Sequence, residues 1–316
     1  MINQYKHLIH STRHFENLNI QAGSDYRYQD ILSLESFELA NKEISSWDSY
    51  ESTPLHSLSD LASDSGVSLI AYKDESHRFS LKSFKALGGA YAVANLLLKK
   101  LKEQGIEAKS SDLIAGTYSE ITSKITVCCA TDGNHGRSVA WGAQKFGCNC
   151  VIYIHRTVSV VREEAIAKYG AIVNRIKGNY DESVHIAAEV AESNGYYVVS
   201  DTSYEGYTDI PKDVMQGYTV MVDEAMKQME EVPTHVFLQG GVGGFPAAVV
   251  SYLVESLECP PIFIVVEPTN ADCLFQSAVN GEPTVIHGDL DTVMAGLACG
   301  EVSLLAWSIL ESYVPH

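Results

Sequence analysis

The chain has 316 residues, 46% hydrophobic and 20% charged, enough apolar material for one large or two moderate globular cores. Its 22 basic residues stand against 40 acidic ones, a net charge of −18. That excludes nucleic acid as the expected partner, since a phosphate backbone is met by a basic surface. The first ten residues carry no long apolar run and no small-residue cleavage site, so no secretory signal is read there and cytoplasmic residence is expected.

In chain order, residues 68–72 read as a short strand. Residues 86–100 carry apolar side chains at helical spacing behind two candidate caps, Ser80 and Ser83. Residues 107–123, rich in Ser, Lys, Asp and Gly, read as a surface loop. A strand over 126–129 is followed by a tight polar turn at 131–136 and a helix ending near Gly147. Further strands are expected at 150–155, 171–176, 196–199, 235–239 and 262–266, with helices between them. The longest uncharged stretch, 236–254, contains Gln239, four glycines and Pro246, and reads as strand, loop and helix rather than a membrane span. The alternation predicts an α/β protein of two open domains with parallel sheets, and a ligand cleft between them.

Lys85 falls in the first turn of the helix that begins at 86. Unsatisfied N–H groups make that end positive, which favours a neutral amine, and a neutral lysine is a nucleophile able to form a Schiff base. By itself the residue reads equally as a solvated charge, like Lys82 one turn earlier. The strand-turn-helix segments around 131–136 and 240–244 each supply consecutive backbone N–H groups at a helix N-terminus, a nest suited to a phosphate or carboxylate. Seven cysteines without regular Cys-x-x-Cys spacing predict no metal site. Cys128 and Cys129 read as buried thiols; Cys273 and Cys299 lie on loops that could approach each other, with two thiols favoured over a disulfide.

Taken in order, Lys85 after Ser83-Phe84, the turn Asn134-His135-Gly136 and the four-glycine turn at 240–244 resemble the tryptophan-synthase-β type (fold type II) of pyridoxal-phosphate (PLP) enzymes, which includes the threonine and serine dehydratases. The run Thr131-Asp132-Gly133-Asn134-His135-Gly136, together with segments 200–211, 215–218, 266–273 and 294–301, is similar to the diaminopropionate ammonia-lyases within that group. The similarity extends from about Tyr50 to the last residue.

The resemblance implies a discontinuous large PLP-binding domain, 1–87 and 205–316, with a smaller domain, 88–204, inserted. It implies that the aldehyde of PLP joins Lys85, that Gly240, Gly241, Val242, Gly243 and Gly244 hold its phosphate, and that Asn134 meets its 3′-oxygen. Thr131, Gly133 and His135 would lie near the carboxylate of an amino-acid substrate. Lys85, Asp132 and Asp201 would be the catalytic groups in α,β-elimination of 2,3-diaminopropionate to pyruvate and two ammonia molecules, in a homodimer. Two carboxylates would pair with the β-ammonium of such a substrate and, on opposite faces, deprotonate either enantiomer.

The alternatives are a threonine or serine dehydratase and a non-catalytic protein of the same fold. The latter is raised because the family's C-terminal part, including a residue facing the pyridine nitrogen, has no counterpart matched in this sequence and the large domain is expected to be incomplete. Glu267, at the end of an apolar strand, raises a nicotinamide-cofactor reading, which the missing third glycine after Gly241-Val242-Gly243 weakens.

Overall fold

A computed structural model describes residues 13–18, 20, 25–131, 133–178 and 180–315. The chain opens with α1 (Leu34–Ser45), β1 (Leu55–Ser57), α2 (Ser59–Ser65), β2 (Ala71–Lys73) and the long helix α3 (Lys85–Lys102). Two short helices, α4 (Ser110–Ile114) and α5 (Ser119–Thr122), lead to β3 (Thr126–Ala130), α6 (Asn134–Phe146), β4 (Asn149–Ile154), α7 (Val160–Ala167), β5 (Ile172–Arg175), α8 (Tyr180–Asn194) and β6 (Tyr197–Val198). Then come α9 (Asp209–Gln228), β7 (His235–Gln239), α10 (Gly244–Ser256), β8 (Ile262–Val266), α11 (Cys273–Asn280) and α12 (Leu304–Tyr313).

Two parallel sheets organise these elements. One runs β5-β4-β3-β6 and the other pairs β7 with β8 from His235↔Ile262 to Gln239↔Val266. Residues 127–129 and 150–154 are buried along their whole length, as strands covered on both faces require.

Two expectations change. The strand expected at 68–72 is Ala71–Lys73, and it pairs antiparallel with Leu55–Ser57 instead of joining a parallel sheet. Left-handed Gly66 (φ 71°) closes the intervening helix α2 and turns the chain back beside its own start. The loop expected at 107–123 contains α4 and α5; the Asp112 carboxylate accepts from the Lys109 N–H at 2.9 Å, so the polar residues that suggested a loop cap a helix.

Helix α3 carries Lys85 at its first position and is buried continuously from Ala86 to Ala94. It lies between α6 and α9, its two most extensive helical contacts. Small residues make this approach close. A Cβ on Gly217 of α9 would stand 2.2 Å from the Leu87 carbonyl oxygen, and one on Gly142 of α6 would stand 2.8 Å from the Ala90 Cα. Both clashes are with backbone, which a rotamer change cannot relieve.

The loop entering α3 is bent sharply, with Phe79 (φ 46°), Ser80 (φ 60°) and Lys82 (φ 58°) in the left-handed region. A buried ion network anchors it. Arg78, 1% exposed, donates to both Glu224 carboxylate oxygens at 2.8 and 2.7 Å and to both Glu75 oxygens at 2.8 Å. Lys73 Nζ adds a contact to Glu224 at 2.8 Å. Burial alone would raise the Glu224 carboxyl, but Arg78 and Lys73 outweigh it and bring its pKa down to about 2.

Gly217→Ala is expected to lose about 1–3 kcal/mol of stability through this overpacking. The shift of the urea-denaturation midpoint measures it.

Candidate active site

The carboxyl ends of β3 and β7 and the first turns of α3, α6 and α10 meet around a cleft of about 630 Å³. Clefts at the carboxyl ends of parallel strands are the usual ligand sites of open α/β sheets, and helix N-termini make this one electropositive. Its wall contains Lys85, Thr131, Gly133, Asn134, His135, Asp201 and Gly241 to Gly244. Gly240 stands behind the wall: a Cβ there would meet the Leu274 and Val265 side chains at 2.8 and 2.9 Å. Asp132 lies outside the described residues.

Lys85 is fixed through its backbone. The Ser83 hydroxyl accepts from the Lys85 N–H at 3.2 Å, and the Ser138 hydroxyl donates to the Lys85 carbonyl at 2.7 Å. The Lys85 side chain ends 2.6 Å from an Asp201 carboxylate oxygen and within 5.6 Å of the Phe84 and Tyr218 ring centres. Burial would favour the neutral amine, but the Asp201 charge overcomes it, so the lysine pKa is raised and that of Asp201 is held well below the usual carboxylate range. This corrects the neutral amine expected from the helix end. A carboxylate at hydrogen-bond distance outweighs the partial charge of a first turn.

Asp201 sits on a segment tied down on both sides. The Tyr207 hydroxyl donates to the Val198 carbonyl and accepts from the Ser200 N–H, both at 2.9 Å. Two residues after Asp201, the Ser203 N–H donates to the Ser303 hydroxyl at 3.0 Å, and the Ser303 N–H donates to the Val242 carbonyl at 2.8 Å. Ser303 therefore joins the Asp201 segment to the glycine turn. In that turn Gly243 has φ 99°, and a Cβ there would come within 3.2 Å of Ala306, Leu274 and Leu310, so only glycine fits.

In the turn before α6, the Thr131 hydroxyl oxygen accepts from the N–H groups of Gly133 (3.1 Å) and Gly136 (3.2 Å). His135 Nε2 bonds the Val199 carbonyl at 2.8 Å, leaving Nδ1 3.9 Å from Asp201. Asn134 is exposed to the cleft.

Sequence reasoning assigned no role to Tyr218 and Arg137 in the wall, nor to the anchoring Ser303. Tyr218 lies in a run quoted for its resemblance alone. Arg137 is three residues after Asn134, the spacing that puts two side chains on one helix face, so that periodicity could have found it. Ser303 has no signal in the sequence.

Glu267 is half-buried and accepts from the Leu274 (3.0 Å) and Phe275 (2.7 Å) N–H groups at the start of α11, with desolvation raising its pKa to about 7. A carboxylate spent on a helix end does not read a ribose, which removes the support for a nicotinamide cofactor. Cys273, a thiol like Cys299, has its sulfur 3.4 Å from the Gly241 carbonyl oxygen behind the glycine turn. Among the described residues there is no cluster of three or more His, Cys, Asp or Glu that could hold a metal, and no helix long and apolar enough to cross a membrane.

A lysine at a helix start, an asparagine turn and a glycine-rich anion nest around one cleft, on two parallel sheets, define the fold-type-II class of PLP proteins. The model of the pyridoxal-phosphate dependent enzymes matches residues 47–316, and the chain belongs to that family. It is 46% identical over 267 residues to the diaminopropionate ammonia-lyase of Escherichia coli (strain K12), a match covering 83% of this chain and 66% of that enzyme, so the chain spans just under two thirds of that relative's length. The crystal structure of holo diaminopropionate ammonia lyase from Escherichia coli superposes with a TM-score of 0.85 at 39% identity, covering 95% of this chain and 75% of the other. The processed form of threonine deaminase isoform 2 from Solanum lycopersicum shares the fold at 20% identity and a TM-score of 0.72, over 96% of this chain and 78% of the other.

The family's coenzyme, pyridoxal phosphate, fits the residues present: an amine for its aldehyde, a nest for its phosphate and a cleft within the size range of cofactor sites.

The Lys85–Asp201 pair stabilises the coenzyme-free protein over a defined pH window. The raised lysine contributes fully below its ordinary pKa and is lost as pH rises through the raised value. The depressed aspartate contributes fully above its ordinary pKa and is lost as pH falls through the depressed value. Asp201→Asn is expected to cost on the order of 3 kcal/mol between about pH 4 and pH 10, with the difference from wild type shrinking toward pH 2. Urea unfolding across that range measures it.

Proposed function

We propose that this chain is a PLP-dependent ammonia-lyase that converts 2,3-diaminopropionate to pyruvate and two ammonia molecules, acting as a cytoplasmic homodimer. The observation that carries the reading is the Lys85–Asp201 pair, 2.6 Å apart, in one cleft with Asn134 and the glycine turn. The 46% identity to the Escherichia coli diaminopropionate ammonia-lyase supports the choice of substrate.

In this reading Lys85 joins the coenzyme's aldehyde, the turn from Gly240 to Gly244 with the start of α10 takes the phosphate, and Asn134 meets the 3′-oxygen. When bound, the coenzyme supplies the electron withdrawal that acidifies the substrate's α-hydrogen. Everything else falls to side chains. While paired, Asp201 is too weak a base to remove a proton, because the Lys85 charge holds its pKa down. Were the Lys85 positive charge removed or moved away, burial would act on Asp201 with less opposition and would raise it toward the range of a working general base.

Asp132 is the second carboxylate. It and Asp201 together would pair with the β-ammonium, a group that serine and threonine lack, and would serve the two enantiomers from opposite faces. Thr131, Gly133 and His135 line the wall on which the substrate is held.

The two-domain reading, with 88–204 inserted between 1–87 and 205–316, is supported by the sheets. The four-stranded sheet falls between 126 and 198, and the β7–β8 pair between 235 and 266.

Purified protein should show a visible absorbance band from lysine-bound coenzyme, which Lys85→Ala abolishes. Pyruvate release should be faster with D- and L-diaminopropionate than with L-serine or L-threonine, and Asp201→Asn should lower it by roughly 10²–10⁴-fold. Turnover of threonine alone would reject the lyase assignment.

A further inference from the structure

Three buried side-chain polar atoms among the described residues have no hydrogen-bond partner, and all three belong to residues lining the cleft: His135 Nδ1, Arg137 Nε and the Tyr218 hydroxyl. The first two are on α6. His135, held by the Val199 carbonyl, turns Nδ1 toward Asp201 at 3.9 Å, and Arg137 reaches the Ser80 carbonyl oxygen through Nη2 at 3.4 Å. Tyr218 is on α9, across α3 from that wall, and is wholly buried. Its ring centre stands 5.0 Å from that of Phe84 and 5.5 Å from Lys85 Nζ.

The sequence of α3 makes room for this ring. A glycine inside a helix costs about 1 kcal/mol against alanine, and α3 carries two in succession. A Cβ on Gly88 would stand 2.5 Å from Tyr218 Cε1 and 2.9 Å from Cζ, the carbon that bears the hydroxyl. The hydroxyl end of the ring therefore lies over the residue three after Lys85, on the same helix face. A Cβ on Gly89 would stand 2.5 Å from the Ser138 hydroxyl oxygen, the group that fixes the Lys85 carbonyl. One glycine admits a holder of the lysine backbone and the other admits a phenol beside its side chain.

We infer that Tyr218 positions the Lys85 nitrogen for bond formation with the coenzyme, its hydroxyl oxygen accepting an N–H from that nitrogen in both the charged and the neutral state. The inference rests on the function proposed above, in which Lys85 joins the coenzyme's aldehyde.

Asp201 cannot do this alone. Its charge holds the lysine as an ammonium, which has no electron pair for an aldehyde carbon. The nitrogen must first pass a proton to the Asp201 carboxylate, 2.6 Å away, and that transfer ends the ionic attraction that fixed it. The neutral amine then bonds the aldehyde carbon, and its two remaining hydrogens leave with the aldehyde oxygen as water. A hydroxyl oxygen accepts from an ammonium and from an amine alike, so the contact with Tyr218 outlasts the proton transfer and leaves the electron pair of the amine free. Burial raises the Tyr218 pKa more than the Lys85 charge lowers it, so the phenol keeps its proton and does not compete as a base.

Tyr218→Phe keeps the ring over Gly88 and removes only the hydroxyl. The full chain, resolved from its coenzyme, is mixed with PLP, and growth of the visible band is followed by stopped flow. Capture should be slowed roughly 10- to 100-fold in the variant, the loss of one hydrogen bond at the reacting nitrogen. Two readouts separate positioning from a structural role. The urea midpoint of the variant should match or exceed that of wild type, because a buried hydroxyl without a partner costs stability. Pyridoxine 5′-phosphate, which has an alcohol in place of the aldehyde and forms no bond to lysine, should bind both proteins within about twofold. A capture rate within about twofold of wild type would overturn the inference. So would slow capture with an equal loss of pyridoxine 5′-phosphate affinity, which would assign Tyr218 to the shape of the coenzyme's site. Protein whose capture of PLP depends on Tyr218, yet which forms no pyruvate from diaminopropionate, would reject the lyase reading and leave this inference standing.

Discussion

An ammonium and a carboxylate 2.6 Å apart, half-buried in the cleft beside two parallel sheets, set the terms for the rest of this structure. Removing charges from water is costly, and the pair persists because each partner offsets the other's burial. The same coupling makes it reactive in principle. Taking the positive charge from Lys85 alters the proton affinity of Asp201, so chemistry at the lysine nitrogen would be communicated directly to the carboxylate beside it.

Much of the surrounding architecture keeps those two groups together. Lys85 begins a helix held between α6 and α9 by glycines that bring backbones within reach of each other, and its entry loop is bent into left-handed conformations under the Arg78 network. Asp201 arrives from the other side, on a segment pinned by Tyr207 and by the serine pair Ser203 and Ser303. Because Ser303 also bonds Val242, the carboxylate and the glycine turn share one anchor. Strain in the lysine loop and tight helix packing are two parts of one arrangement, since the loop could not hold its shape against a loosely packed α3.

The strands legible in the sequence were those whose burial is continuous, such as 127–129 and 150–154, where an apolar run leaves little ambiguity. The short antiparallel pair β1–β2 was harder, because its three-residue strands are mostly exposed or half-buried and owe their pairing to the turn at Gly66. In the cleft, motif residues could be named because glycine and Asn-His-Gly turns mark themselves by composition. The ionic state of Lys85 could not. It depends on Asp201, 116 positions away, and local helix electrostatics pointed in the opposite direction. Ser303 was invisible for the same reason: a serine's role as an anchor is written in which backbone groups the fold brings to it.

Chemical trapping at the lysine tests this account most directly. Borohydride reduction of the coenzyme-loaded protein, followed by peptide mass analysis, should place the covalent coenzyme adduct on the peptide containing Lys85, at Lys85 itself. An adduct on Lys82 or another lysine, or no adduct in protein that holds the coenzyme, would contradict it.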